Sequence, residues 1–213
     1  MLVLIENGCL GYESTCVLKD VNLAIEEPGL ILVRGANGSG KSTLLKTIAG
    51  LLKPISGRVR VLGRNPFSPR FDRSLIGYVP QDPLHQFTEP SVYEEIRLQA
   101  VDDEHARWAV EKLGVAHLLE ESPLTLSVGE MKRVLIAAAV ARDPRILLVD
   151  EPSIGQDSKN LCRVLELLRI LAERGKLVVV ASHDVRLWRC LEFDAVVEIS
   201  NGSVKYTRVR KVG

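Results

Sequence analysis

Long apolar runs are missing from this 213-residue chain. The runs around Leu135 to Ala141 and Leu177 to Ala181 fall far short of the ~20 residues that span a bilayer. The opening MLVLIENG reaches Glu6 too early for a secretory leader. An excess of one charge is missing too. With 28 basic and 27 acidic residues, net +1, there is no basic footprint for duplex nucleic acid. Cysteine is scarce, and Cys9, Cys16, Cys162 and Cys190 show neither Cys-x-x-Cys spacing nor paired histidines nearby. That pattern argues against a metal site or a disulfide framework and predicts small, half-buried side chains in a reducing compartment. The expectation is a soluble, intracellular protein. What is present, 46% hydrophobic and 26% charged residues, is ordinary globular composition and excludes disorder.

The length suits a single domain, 1–213, and the alternation of strand and helix signals makes the class α/β. Residues 1–6 and 17–25 read as strands of a peripheral β layer, and Gly29 to Val33 as a short apolar strand entering a glycine-rich turn. Leu44, Leu45, Ile48 and Leu51–Leu52 predict a helix over 41–52, stopped by Pro54. Strands are expected at 57–62 and 75–79, then at 145–149, 176–181 and 195–199, with a helix at 157–174. Between them, about 82–142 lacks β signal and reads as an inserted helical lobe, leaving a core and β layer at 1–81 and 143–213. Asn201-Gly202 supports a closing hairpin.

Gly35-Ala-Asn-Gly-Ser-Gly40-Lys41-Ser42 matches GxxxxGK[ST] between a strand and a helix. The glycines let backbone N–H groups close around phosphate oxygens, and the helix N-terminus favours an anion there. Lys41 is positioned to reach β- and γ-phosphates and Ser42 to ligate Mg²⁺. The apolar strand Ile146 to Val149 ends in Asp150 and Glu151, placing two carboxylates at the sheet edge beside the cradle. Asp150 is expected to hold Mg²⁺, and Glu151 to polarise an attacking water.

These residues, with several more in fixed order, resemble the nucleotide-binding subunit of ATP-binding cassette (ABC) proteins over essentially the whole chain. Leu126-Ser-Val-Gly-Glu130 is similar to that family's Leu-Ser-Gly-Gly-Gln signature. Pro80-Gln81-Asp82 resembles its glutamine loop, Ser153 to Asp157 the loop usually ending Leu-Asp, and Ser182-His183-Asp184 its switch histidine. The resemblance implies a P-loop NTPase core with an antiparallel β layer and a helical lobe. It implies ATP and Mg²⁺ as ligands, with Glu151, His183 and Gln81 in catalysis and Ser42, Gln81 and Asp150 around the metal. Tyr12, Asn37, Gly38, Ser39, Gly40, Lys41, Ser42 and Thr43 would contact nucleotide, Tyr12 by stacking on adenine. Ser127 and Gly129 would contact the nucleotide of a second subunit in a head-to-tail dimer, homo- or heterodimeric.

The sequence departs from the family pattern at Val128, Glu130 and Gln156. A carboxylate at Glu130 is expected to repel the facing γ-phosphate unless it turns toward Lys132, Arg133 or a helix-terminal N–H. Arg34 reads as a source of positive potential or a snorkelling surface side chain. The family resemblance favours the ATPase subunit of a membrane transporter, cytoplasmic and peripheral on the inner face of the membrane, over a soluble ABC machine such as a cluster-assembly ATPase. Gln81-Asp-Pro83-Leu-His-Gln86, then Ser91-Val-Tyr-Glu-Glu95, resembles the energy-coupling-factor and cobalt importers. The apolar Leu84, Phe87, Val92, Tyr93 and Ile96 make 81–96 the expected dock for a membrane subunit.

Overall fold

The computed structural model describes residues 1–209, apart from the side chains at positions 188 and 189. Residues 210–213 of the expected domain lie outside the described residues. The first half of the chain forms β1 (Val3–Tyr12), β2 (Thr15–Ile25), β3 (Gly29–Arg34), α1 (Lys41–Ile48), β4 (Ser56–Val61) and β5 (Ile76–Val79). Then come α2 (Val92–Gln99), α3 (Asp103–Leu113), α4 (Val128–Ala141) and β6 (Ile146–Asp150). The chain continues through α5 (Ser158–Glu173), β7 (Leu177–Ala181), α6 (Val185–Cys190), β8 (Ala195–Ser200) and β9 (Ser203–Arg208). Among the described residues, no helix is long and apolar enough to cross a membrane.

Two sheets account for these strands, one ordered β2-β1-β4 and antiparallel, the other ordered β5-β6-β7-β3-β8-β9. The pairs β5–β6, β6–β7, β7–β3 and β3–β8 are parallel, and β8–β9 closes the edge as an antiparallel hairpin. Every residue of β6 and β7 is buried, as expected for parallel strands covered on both faces. The period-2 alternation then assigns each side chain to a layer. Ile146, Leu148, Leu177 and Val179 join Leu44, Leu45 and Ile48 of α1 and the antiparallel sheet in one core. Leu147, Val149, Val178 and Val180 join α4 and α5 in the other. Helix α5 presents Leu161, Val164, Leu165, Leu168 and Leu171 to that core, the i, i+3, i+4, i+7 stripe of an amphipathic helix.

Three local expectations are corrected. Helix α1 stops at Ile48 because Gly50 turns left-handed (φ 74°) just after the cap, so Leu51 leaves the helix axis and stands exposed. The first strand continues past residue 6 to Tyr12, absorbing register shifts around Gly8 rather than ending there. Cys9 and Cys16 are not isolated thiols: the β1–β2 hairpin brings their Cα atoms to 5.6 Å and their sulfurs are bonded. Sequence spacing hides that pairing because the turn at residues 13–14 creates it.

Parallel pairing has one functional consequence. The C-terminal ends of β3, β5, β6 and β7 lie on a single sheet edge. The loops that leave it begin at Gly35, Pro80, Glu151 and Ser182.

Candidate functional site

The loop between β3 and α1 is shaped by positive φ. Gly38 (φ 74°) has open space where a side chain would begin, and Gly40 (φ 107°) has Leu18 2.6 Å from any added Cβ. An alanine at Gly40 would be strained by backbone and crowded by Leu18 together. No side chain caps α1, and its first-turn amides have no intrahelical partner. The cradle is therefore an N-terminal nest with its N–H groups unclaimed by the helix. Lys41 is 6% exposed, and its Nζ donates to the carbonyls of Gly35 (3.0 Å) and Ala36 (3.2 Å). Ser39 Oγ is buried without a partner among the described residues. Asn37 and Gly38 are exposed, Ser42 half-buried and Thr43 buried.

Glu151 is 2% exposed and adopts φ 49°, a left-handed backbone that costs a non-glycine residue roughly 1–2 kcal/mol. Its N–H donates to Ala181 O at 2.8 Å, which fixes that turn against β7. The turn delivers the carboxylate inward to four groups. Ser182 Oγ donates to Oε2 at 2.9 Å. Oε1 receives the His183 N–H at 3.2 Å, lies 2.7 Å from His183 Nδ1 and sits 3.6 Å from Lys41 Nζ. Asp150, one residue earlier, is 1% exposed, and neither carboxylate oxygen has a hydrogen-bond partner among the described residues. Burial raises its pKa, opposed by the nearby Ser42 hydroxyl and by the Lys132 and Lys41 charges. The motif residues Lys41, Ser42, Asp150, Glu151 and His183 thus converge.

No hydrogen bond among the described residues joins the remaining expected residues directly to Lys41 or Glu151. Tyr12, at the hairpin end, is 45% exposed with Lys46 of α1 5.8 Å from its ring centroid, a cation–π distance. Gln81 is exposed. Ser127 N-caps α4, and Gly129 packs so closely that an added Cβ would meet Gly155 O at 2.1 Å. Ser127 and Gly129 make their side-chain and close-packing contacts with Glu130, Arg133, Gly155 and Gln156. Arg34 pairs with Glu198 of β8 at 3.1 Å, so its charge is engaged beside the cradle rather than lent to it.

A family model described as ABC transporter matches residues 18–154. The chain belongs to the ABC transporter family. It is 33% identical to the energy-coupling factor transporter ATP-binding protein EcfA1 of Thermotoga maritima, over 97% of this chain and 81% of that one. It is 32% identical to a putative HMP/thiamine import ATP-binding protein, YkoD, of Bacillus subtilis over 80% of this chain, yet spans only 32% of that longer relative. Among solved structures, the dimeric ATP-binding cassette MJ0796, bound to ADP and Pi after hydrolysis, superposes with a TM-score of 0.83 at 28% identity. That alignment covers 98% of this chain and 99% of the other. The chain is an α/β P-loop ATPase of this family.

Of the arrangements expected at Glu130 in the ABC signature segment, the structure shows the turn toward a helix-terminal N–H. The Glu130 carboxylate turns back on its own helix end, accepting from Ser127 N–H (2.9 Å) and Ser127 Oγ (2.6 Å) while Ser127 Oγ accepts the Glu130 N–H. This is a capping box, and it leaves Lys132 and Arg133 for other partners. Gln156, where ABC proteins usually carry leucine, is 7% exposed and receives Arg133 Nη1 at 2.8 Å while donating to Gly129 O at 2.7 Å. It ties the loop after Glu151 to α4.

The sequence marks Lys132 only as a candidate partner for Glu130; the structure buries it fully. Desolvation lowers its pKa to about 8, against the raising influence of Asp150, Glu151 and Asp82. The available signal was its place three and four residues before Leu135 and Ile136, on the apolar face of α4. Glu95 was likewise unread as a site organiser. It is 3% exposed and accepts from the N–H groups of Thr88 (2.8 Å) and Glu89 (3.1 Å), shaping the loop after Gln81.

A triphosphate with Mg²⁺ fits this donor set. Two unpartnered carboxylate oxygens on Asp150, a half-buried Ser42 hydroxyl, an orphaned Ser39 hydroxyl and a helix N-terminus offer hard oxygen ligands and amides in one place.

The capping box predicts a pH signature. Hydrogen bonds from Ser127 hold the Glu130 carboxyl below the ordinary carboxylate range. Because the folded pKa is the lower one, the stabilisation is present above the unfolded value of about 4.3 and is lost as pH falls through the folded value. Glu130→Gln should cost a few tenths to about 1 kcal/mol near pH 7. That difference in urea-unfolding stability should shrink steadily as the pH is lowered below about 4.3. A difference constant across that range would remove the carboxylate from the cap.

Proposed function

We propose that the chain is the ATP-hydrolysing subunit of a membrane transporter, closing head-to-tail on a second cassette with ATP at two shared sites. The observation that carries the reading is Glu151, locked in a left-handed turn with its carboxylate between Lys41, Ser182 and His183. In that reading Lys41 exchanges the Gly35 and Ala36 carbonyls for β- and γ-phosphate oxygens, which offer an ammonium a stronger partner. The nest amides from Gly38 to Thr43 hold the same oxygens, and Tyr12 supplies a ring face to adenine. Asp150, Ser42 and Gln81 would hold Mg²⁺, which when bound would supply charge neutralisation to the triphosphate. Glu151, released from Lys41, accepts a hydrogen bond from the attacking water, and His183 donates to the γ-phosphate.

Ser127 and Gly129 would serve the opposite subunit's nucleotide, as the family resemblance implies. Residues 82–142 act as the helical lobe that receives a membrane subunit. The proposed dock is a cleft of about 190 Å³ lined by Tyr78, Pro80, Gln86, Glu95, Gln99 and Arg142. Val92 and Ile96 lie in the lobe's own core, whereas Leu84 and Tyr93 are about half exposed and remain available. Similarity to the Thermotoga EcfA1 and the Bacillus YkoD supports an importer, working on the cytoplasmic face of the membrane. No nucleic-acid partner is proposed.

Glu151→Gln preserves size and removes the charge, so the variant should bind MgATP and accumulate as a dimer by light scattering while releasing phosphate at least ~100-fold more slowly. Lys41→Ala should instead lose nucleotide affinity itself. A Glu151→Gln chain that releases phosphate at the wild-type rate would contradict the reading. For the dock, a cysteine placed at Gln86, with Cys162 and Cys190 replaced by serine and Cys9–Cys16 left bonded so that it is the one free thiol, should crosslink to an integral membrane protein in native membranes. Crosslinks confined to soluble proteins would favour a soluble ABC machine.

A further inference from the structure

Helix α4 carries a buried ammonium that the proposed chemistry does not use. Lys132 is 0% exposed, and among the described residues no carboxylate lies within ion-pair distance of its Nζ. Its three N–H donors meet three backbone carbonyls instead: Pro80 O at 2.5 Å, Gln81 O at 3.2 Å and Asp150 O at 2.6 Å. Burying an ammonium whose hydrogen-bond acceptors are all neutral is expensive even with the Asp150, Glu151 and Asp82 charges acting on it from beyond ion-pair distance, and an apolar side chain of similar length would fill the space without that cost. The position of the three carbonyls gives the charge a purpose. Strands β5 and β6 run in register from Ile76↔Ile146 to Val79↔Val149 and then separate, one into the Gln81 loop and the other into Asp150 and Glu151. Lys132 bridges the two chains at the point where sheet pairing ends, and it does so from the helix that Ser127 caps.

We infer that Lys132 is a positioning residue, linking α4 and the Gln81 loop to the end of β6 so that both loops hold one geometry around Asp150 and Glu151. This rests on the proposed ATPase site and deepens it. Through the link, displacement of the Gln81 loop by a docked partner reaches the Asp150 carbonyl in one hydrogen-bonded step. Neighbouring Arg133 ties α4 to the loop after Glu151 through Gln156, so two adjacent side chains of one helix span both sides of the acidic pair.

The test separates positioning from bulk stability. Lys132→Met keeps an unbranched stem one atom shorter and removes all three donors; Lys132→Gln, of similar length to Met, restores an N–H donor pair. In full-length chain checked for folding by circular dichroism, Lys132→Met should keep ATP affinity within about 3-fold of wild type and lose at least ~10-fold in kcat. Lys132→Gln should recover most of that loss. If Lys132→Met does not fold, Lys132→Gln carries the test by a smaller fall in kcat at unchanged affinity. A second readout is a double-mutant cycle with Gln81→Ala. Because Lys132 acts through the Gln81 loop, the combined loss in kcat should be clearly smaller than the product of the single losses. Wild-type kcat in both Lys132 variants, or losses that multiply independently, would overturn the inference. Failure of the ATPase reading itself would show separately, as wild-type turnover in Glu151→Gln.

Discussion

Glu151 sits in a backbone conformation that its side chain disfavours, and the surrounding structure is arranged to hold it there. Its N–H is fixed to Ala181, and its carboxylate to Ser182 and His183 at the end of the neighbouring strand. Lys41 reaches it from α1. These groups come from three segments far apart in sequence, and only the parallel order β6-β7-β3 brings their strand ends together. Moving β7 by one residue would turn its alternating Val178 and Val180 out of their core and withdraw Ser182 and His183 from the carboxylate. Core packing and catalytic geometry are thus one constraint.

The same economy appears around α4. One turn of this helix caps itself through Ser127 and Glu130, closes on Gly155 through Gly129, and sends Lys132 and Arg133 in different directions to backbone and side-chain acceptors. Substituting Gln156 for the usual leucine adds a polar side chain to a buried place, and the structure satisfies its amide at both ends. The departures from the family pattern are therefore absorbed locally: Glu130 into a cap, Gln156 into a bridge, and Val128 onto an exposed first turn.

Much of this was legible in the sequence because it depends on short-range pattern. The glycine-rich turn between strand and helix, the apolar run ending in Asp150 and Glu151, and the i, i+3, i+4 stripe of α5 are each written in contiguous residues. What could not be read depends on contacts across the chain. Lys132 is 52 residues from Pro80, and nothing local announces that its ammonium meets a carbonyl there rather than solvent. The Cys9–Cys16 bond depends on hairpin register, and the premature end of α1 on one glycine entering the left-handed region. The positive φ of Glu151 is equally silent, since sequence propensity would favour glycine or asparagine at such a turn.

His183 is the partner of Glu151 most open to solvent, with half its side chain exposed. Phosphate release by the His183→Ala chain at saturating MgATP therefore tests the convergent site most directly. The account predicts at least a ~100-fold fall in kcat with ATP affinity within about 3-fold of wild type. Wild-type turnover in that variant would contradict it.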